Sequence, residues 1–271
     1  MLEKINEAAA YIQNFLPFKP DLAIILGSGL GPLANLVEDP ITIPYQDIPH
    51  FPSTTIASHA GQIVIGRIKN KNVIILNGRF HYYEGHDIYT NTLPVRVFKA
   101  LGVERLIVTN ACGGLDDDME PGMISIIEDH ISFFTPSPLR GENLDTFGPR
   151  FIDMTEVYDK SYRETAKQAA KKLNIPITSG VYCFLQGPMF ETPAEIRMLK
   201  LCGVSMVGMS TVPEVIIARH CGMRILGLSL VTNKAAGLSQ NTLSHEEVME
   251  TAKISERNMV ALVLEIIENM D

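Results

Sequence analysis

Residues 106–114 read LIVTNACGG: three apolar residues, Leu106–Val108, give way to Thr109-Asn110 and then to the small residues Ala111, Cys112, Gly113 and Gly114. A run this short and apolar at every position suits a strand covered on both faces, not the alternating pattern of a half-exposed one. The same form recurs at Asp21–Leu26 before Gly27, at Val73–Leu76 before Asn77-Gly78, and at Ile225–Val231 before Thr232-Asn233. Helical patterns separate the runs: Leu93–Leu101 closed by Gly102, Ser161–Leu173, Ala194–Leu201, Val215–Cys221 and a long segment from about His245. Met1–Phe15 adds an amphipathic helix at the start, with Glu3, Lys4 and Glu7 among its apolar residues. The alternation predicts an α/β fold with ligands beyond the strands' C-terminal ends.

Composition narrows the class. The chain has 271 residues, 46% of them apolar and 20% charged, which excludes a disordered chain. A net charge of −8 argues against sequence-independent binding to nucleic acid or an anionic membrane. A small anion remains allowed, because it responds to a local site and not to total charge. Cys112, Cys183, Cys202 and Cys221 form no CxxC pair and are too few for a disulfide framework, and the expected location is the cytoplasm. The longest uncharged stretch, Leu22–Val37, is interrupted by Gly27, Gly29, Gly31 and Pro32 and is no membrane span. With no repeat and no low-complexity linker, residues 1–271 are expected to form one domain.

Three helix starts fit the S/T-x-x-E capping box: Thr192 with Glu195, Thr211 with Glu214, and Ser244 with Glu247. Thr135–Pro149, with three prolines and two glycines, reads as an excursion loop.

Several strand ends carry polar groups. GSGLG at 27–31 can cradle an anion or simply make a tight turn, and both readings stay open. Pro32 breaks the dinucleotide fingerprint, and no GK[ST] follows for a P-loop. Past Val73–Leu76, Arg79 and His81 offer charge-assisted donors to an oxyanion and the tyrosines a wall for a sugar or base. His81 and His86 are five apart and make no metal site; His86 reads as an ordinary loop histidine. Asn110–Gly114 lets a ligand approach the backbone or permits close packing, and Cys112 reads as packing. Glu191, beside the Thr192 cap, is expected to be ionised by the helix N-terminus and to accept hydrogen bonds. Ser210 precedes another capped helix, where an anion would be stabilised. It is no hydrolase nucleophile, since position 212 is Val where that motif needs Gly. Asn233 offers donor and acceptor edges for a heterocycle, and His245, at a positive helix end, is expected to be neutral.

These residues carry a family likeness. GSGLG at 27–31, GRFHYYEG at 78–85, TNACGG at 109–114, GPMFETPAE at 187–195 and VGMSTVPEVIIARHCG at 207–222 resemble the purine nucleoside phosphorylases, and within them the trimeric branch acting on 6-oxopurine nucleosides. The match continues to HEEV at 245–248. The resemblance implies a mixed sheet forming a distorted barrel surrounded by helices. It implies reversible phosphorolysis of inosine, guanosine and their 2′-deoxy forms to free purine and (deoxy)ribose 1-phosphate. No cofactor or metal is implied; phosphate is a co-substrate. Ser28, His59, Arg79, His81, Ser210 and the backbone of Ala111 would bind phosphate. Tyr83, Met209 and His245 would line the ribose, with Phe151 from a neighbouring subunit of a homotrimer. Phe190, Glu191 and Asn233 would hold the purine, and His81, Glu191, Asn233 and His245 would carry the chemistry. Cys112 in place of Ala, and Met189 in place of Ser, depart from the pattern but leave these residues intact. Rival readings are a phosphorylase of xanthosine or 5′-methylthioadenosine, with Asn233 in place of Asp arguing against the latter, and a binding protein without turnover.

Overall fold

The computed structural model describes residues 1–28, 30–54, 60–239 and 245–271, without the side chains of 245–247. In chain order the elements are α1 (Leu2–Gln13), β1 (Leu22–Ile25), β2 (Glu38–Pro44), β3 (Gln62–Ile68), β4 (Lys71–Asn77), α2 (Ile88–Ala100) and β5 (Arg105–Gly114). They continue with β6 (Ile124–Ile131), α3 (Lys160–Leu173), β7 (Ile177–Phe184), α4 (Pro193–Leu201), β8 (Met206–Gly208), α5 (Val212–His220), β9 (Arg224–Lys234) and α6 (His245–Asn269).

The strands form one mixed sheet in the order β2-β3-β4-β1-β5-β8-β7-β6-β9, and β9 pairs back onto β5. That last pairing closes β5, β8, β7, β6 and β9 into a five-stranded barrel, from which β1, β4, β3 and β2 extend as an open flap. The expected distorted barrel ringed by helices is therefore present. Along β1 the two faces part: Ala23 and Ile25 enter the core with α1, α2 and α5, while Leu22 and Ile24 enter the core with α3 and α6. Burial on both faces is why this strand shows no polar alternation.

The structure departs from the sequence reading at several strands. Thr109–Gly114 and Thr232–Lys234 do not lie past their strands but within them, because β5 and β9 pair in parallel from Arg105↔Arg224 to Gly114↔Lys234. The barrel wall continues that ladder through polar and small residues where the sequence suggests loop. GSGLG leads into a 3-10 helix, Gly31–Leu36. Strands β2, β3, β6, β7 and β8 were not among those expected. β2 is an exposed edge strand with two prolines, β8 has three residues, and β7 carries Thr178, Ser179 and Gly180 at half-buried positions.

The helices follow their expected positions within a few residues, except that α2 begins five residues early. Asp87 caps it, accepting from the backbone N–H groups of Tyr89 and Thr90 at 2.9 and 2.8 Å. Gly102 closes it at φ +87°, a left-handed conformation that glycine adopts without a Cβ penalty. Residues 132–159 run as an excursion without helix or strand, containing the expected Thr135–Pro149 loop.

Candidate active site

β1, β4, β5 and β9 run parallel, so their C-terminal ends share one side of the sheet. There the structure gathers ten residues around one cleft of about 340 Å³: Ser28, Arg79, His81, Tyr83, Ala111, Phe190, Glu191, Met209, Ser210 and Asn233. Each was singled out in the sequence. Segments far apart in the chain meet because the barrel brings β8 and the starts of α4 and α5 against the ends of β4 and β5.

Two expected contributors, His59 and the side chain of His245, lie outside the described residues. Val248, on the first turn of α6, does line the cleft. Phe151 is not brought to it; its side chain is 89% exposed on the excursion loop.

At one end of the cleft, Arg79 is 1% exposed. Its Nε donates to Glu214 Oε1 at 3.0 Å, and its Nη1 donates to the Thr109 carbonyl at 2.6 Å and to Ser210 Oγ at 3.2 Å. Glu214 corrects the capping-box expectation for α5. Thr211 makes no side-chain cap, and its glutamate partner turns inward to the guanidinium. A polar residue three positions after a threonine carries the same signal for a cap and for a buried ion pair, so sequence alone could not separate them.

His81 stacks on Tyr83, with ring centroids 4.7 Å apart and planes 16° from parallel. The Glu84 carboxylate accepts from the His81 backbone N–H at 2.8 Å and lies 3.2 Å from Nδ1. Burial pushes the His81 pKa below the ordinary imidazole range against the raising effect of Glu84. At neutral pH the ring is therefore uncharged, and Arg79 supplies the positive charge that the sequence assigned to both. Burial also pushes the Tyr83 hydroxyl up to about 12, so it is a neutral donor or acceptor.

At the other end, Asn233 owes its direction to a β-bulge. The β5–β9 register shifts between Cys112 and Gly113, leaving Thr232 unopposed. Asn233 Nδ2 donates to the Lys234 carbonyl at 2.9 Å, and the Thr232 hydroxyl lies 3.0 Å from Oδ1. A carbonyl can only accept, so the amide nitrogen must face Lys234 and the oxygen must face Thr232. One N–H of Asn233 remains for a ligand.

Glu191 is half-buried beside the capping box of α4, where Thr192 Oγ1 accepts from the Glu195 N–H at 3.2 Å. Its carboxyl titrates above the ordinary range: burial raises it most, its own backbone N–H opposes, and Glu195 raises it further. This corrects the expectation that the helix terminus would dominate. Cys112 sits in the core, its thiol pushed up to about 12 by burial, in keeping with a packing role. His86 has its Nε2 2.9 Å from the Ser53 carbonyl, away from the cleft, in keeping with a loop residue.

Among the described residues, no group of His, Cys, Asp and Glu could hold a metal ion, and no helix is long and apolar enough to cross a membrane. The cleft can hold an anion at the Arg79 and Ser210 end and a planar heterocycle at the Phe190, Glu191 and Asn233 end.

Comparison with known proteins bears on this arrangement. The family model described as "Phosphorylase superfamily" matches residues 21–268. "Purine nucleoside phosphorylase 1" of Bacillus subtilis is 50% identical over 98% of this chain and 98% of its own. The crystal structure of Schistosoma mansoni purine nucleoside phosphorylase in complex with inosine matches with a TM-score of 0.93 at 40% identity, covering 99% of this chain and 97% of that one. A structure of the Schistosoma mansoni enzyme in complex with adenosine matches with a TM-score of 0.94 at 41% identity, covering 99% and 98%.

Proposed function

The chain belongs to the phosphorylase superfamily, and on that premise we propose that its cleft binds a purine nucleoside beside phosphate and carries out purine nucleoside phosphorolysis. The reaction is a reversible pentosyl transfer: inorganic phosphate attacks C1′, the glycosidic bond breaks, and free purine and ribose 1-phosphate leave. The observation that carries the reading is the meeting, in one cleft, of a buried cation with a hydroxyl and of a carboxylate with a carboxamide.

Bond cleavage places positive charge on the ribose and negative charge on the purine. Phosphate held by Ser28, Arg79, His81, Ser210 and the Ala111 backbone, with His59, stabilises the first charge and then attacks. Asn233 uses its remaining N–H to donate to purine N7 as charge accumulates there, while Glu191 accepts from N1–H. Tyr83, Met209 and His245 line the ribose, and Phe190 covers the base. Preorganised groups of this kind act most strongly where charge develops in the transition state. No protein nucleophile and no cofactor is required; phosphate is the co-substrate.

The substrates are inosine, guanosine and their 2′-deoxy forms. An ionised Glu191 has only acceptors and would meet adenine N1 lone pair to lone pair. Sites built to hydrogen-bond one edge discriminate by ~10⁴ against a base that leaves buried groups unpaired. Residues 1–271 act as one domain in a homotrimer, in which Phe151 reaches the neighbouring cleft; its exposure, with that of Phe133 on the same excursion, supports this. Four unpaired cysteines, three of them buried, support a cytoplasmic location.

The test is release of free base from a nucleoside panel with and without phosphate. Inosine and guanosine are expected to yield base only when phosphate is present, and adenosine to be cleaved ~10⁴-fold less efficiently. Equal kcat/KM for adenosine and inosine would contradict the role given to Glu191.

A further inference from the structure

Thr211 is the central residue of a three-residue turn: its φ and ψ are +73° and −53°, and the Val212 N–H donates to the Ser210 carbonyl at 2.8 Å. This is the tight γ-turn that β-branched residues rarely adopt. The residue is 0% exposed, so the conformation is imposed by its surroundings.

Two hydrogen-bonding contacts account for it. Asn110 Nδ2, from β5, donates to Thr211 Oγ1 at 3.0 Å, and Thr211 Oγ1 lies 3.3 Å from Ser210 Oγ. On its other side Ser210 Oγ accepts from Arg79 Nη1 at 3.2 Å. The two ends fix two of the proton directions, and between the two hydroxyls either oxygen can donate. Asn110 and Arg79 are donors at their ends, so Thr211 Oγ1 and Ser210 Oγ each accept one bond from them. When the Thr211 hydroxyl spends its proton on Ser210 Oγ, both lone pairs of Ser210 are occupied. The Ser210 proton is then left to point outward, towards the cleft that Ser210 lines, with the Tyr182 hydroxyl also beside it.

We infer that Thr211, held by Asn110, is a positioning residue for phosphate: it turns Ser210 from a hydroxyl of either polarity into a dedicated donor aimed at the anion. Neither Asn110 nor Thr211 lines the cleft. The inference rests on the phosphorolysis reading, which supplies phosphate as the anion.

The test uses the full chain as wild type, Thr211→Val, Thr211→Ser and Asn110→Ala. For each, KM for phosphate and for inosine are measured, together with calorimetric binding of inorganic phosphate alone. Thr211→Val keeps the shape and loses the hydroxyl; it should raise both KM and Kd for phosphate roughly ten-fold, the effect of one lost hydrogen bond, and leave KM for inosine within about two-fold. Thr211→Ser should restore phosphate binding. Asn110→Ala should reproduce the valine phenotype, and the double variant should be no worse than either single one, because both act through one chain of bonds. Phosphate KM and Kd unchanged in Thr211→Val, or phosphate and inosine constants rising together, would overturn the inference. If the valine variant does not fold, Asn110→Ala gives the same two answers. A wild type that binds phosphate but does not consume it would count against the functional reading and leave the calorimetric comparison in force.

Discussion

At Glu191 two effects oppose each other. The helix N-terminus of α4 and the residue's own backbone N–H favour the carboxylate, while burial and Glu195 favour the neutral acid, and the second pair prevails. The functional consequence has a definite sign. In the proposed role the ionised form accepts a charge-assisted bond from purine N1–H that the neutral acid makes only weakly, and the pKa of Glu191 lies above the ordinary 4.5. As pH falls, Glu191 therefore protonates earlier than an exposed glutamate would, and inosine cleavage should be lost on that acid limb. Glu191→Gln should lower kcat/KM at neutral pH, through the lost charge-assisted bond, and flatten the ratio of wild type to variant below neutrality. A ratio that does not change with pH at saturating phosphate would show that Glu191 is not the titrating group. The identity of this residue was legible because a lone carboxylate sits beside a cap. Its titration was not, since burial depends on the β7–α4 loop folding over the cleft.

The segment just past β4 is joined to α5 by the Arg79–Glu214 pair, whose side chains are nearly fully buried at 3.0 Å. Both charges have left water, so removing one partner leaves the other uncompensated in the interior. Glu214→Ala should cost about 3–5 kcal/mol of unfolding free energy in urea titrations. A loss below about 1 kcal/mol, the range of an exposed pair, would contradict this account of the junction. The buried strands β1, β4, β5 and β9 could be read from their apolar runs, because burial on both faces leaves an unmistakable pattern. Thr192 could be read as a cap because both bonds of its capping box are local. β7 and β8 could not: β8 has three residues, β7 carries Thr178, Ser179 and Gly180 in its first half, and only the closed barrel makes strands of them. Thr211 carries the same lesson at an element boundary, since its threonine-to-glutamate spacing fits a cap while the fold turns both residues inward.

Over the whole molecule, closure of β5 onto β9 is what brings the anion end and the heterocycle end of the cleft together. The excursion at 132–159 lies apart from that closure and carries Phe133 and Phe151 into the open, 78% and 89% exposed. The exposure of both rings supports the proposed subunit interface. Sedimentation at assay concentration should give a homotrimer, and Phe151→Ala should raise KM for nucleoside while leaving phosphate binding unchanged; a fully active monomer would contradict the shared site. The central claim, that phosphate and not water takes the ribose, is tested most directly by following labelled inorganic phosphate during inosine cleavage. The account predicts one labelled ribose 1-phosphate for each hypoxanthine released and no cleavage without phosphate. Unlabelled free ribose, formed at the same rate whether or not phosphate is present, would contradict it.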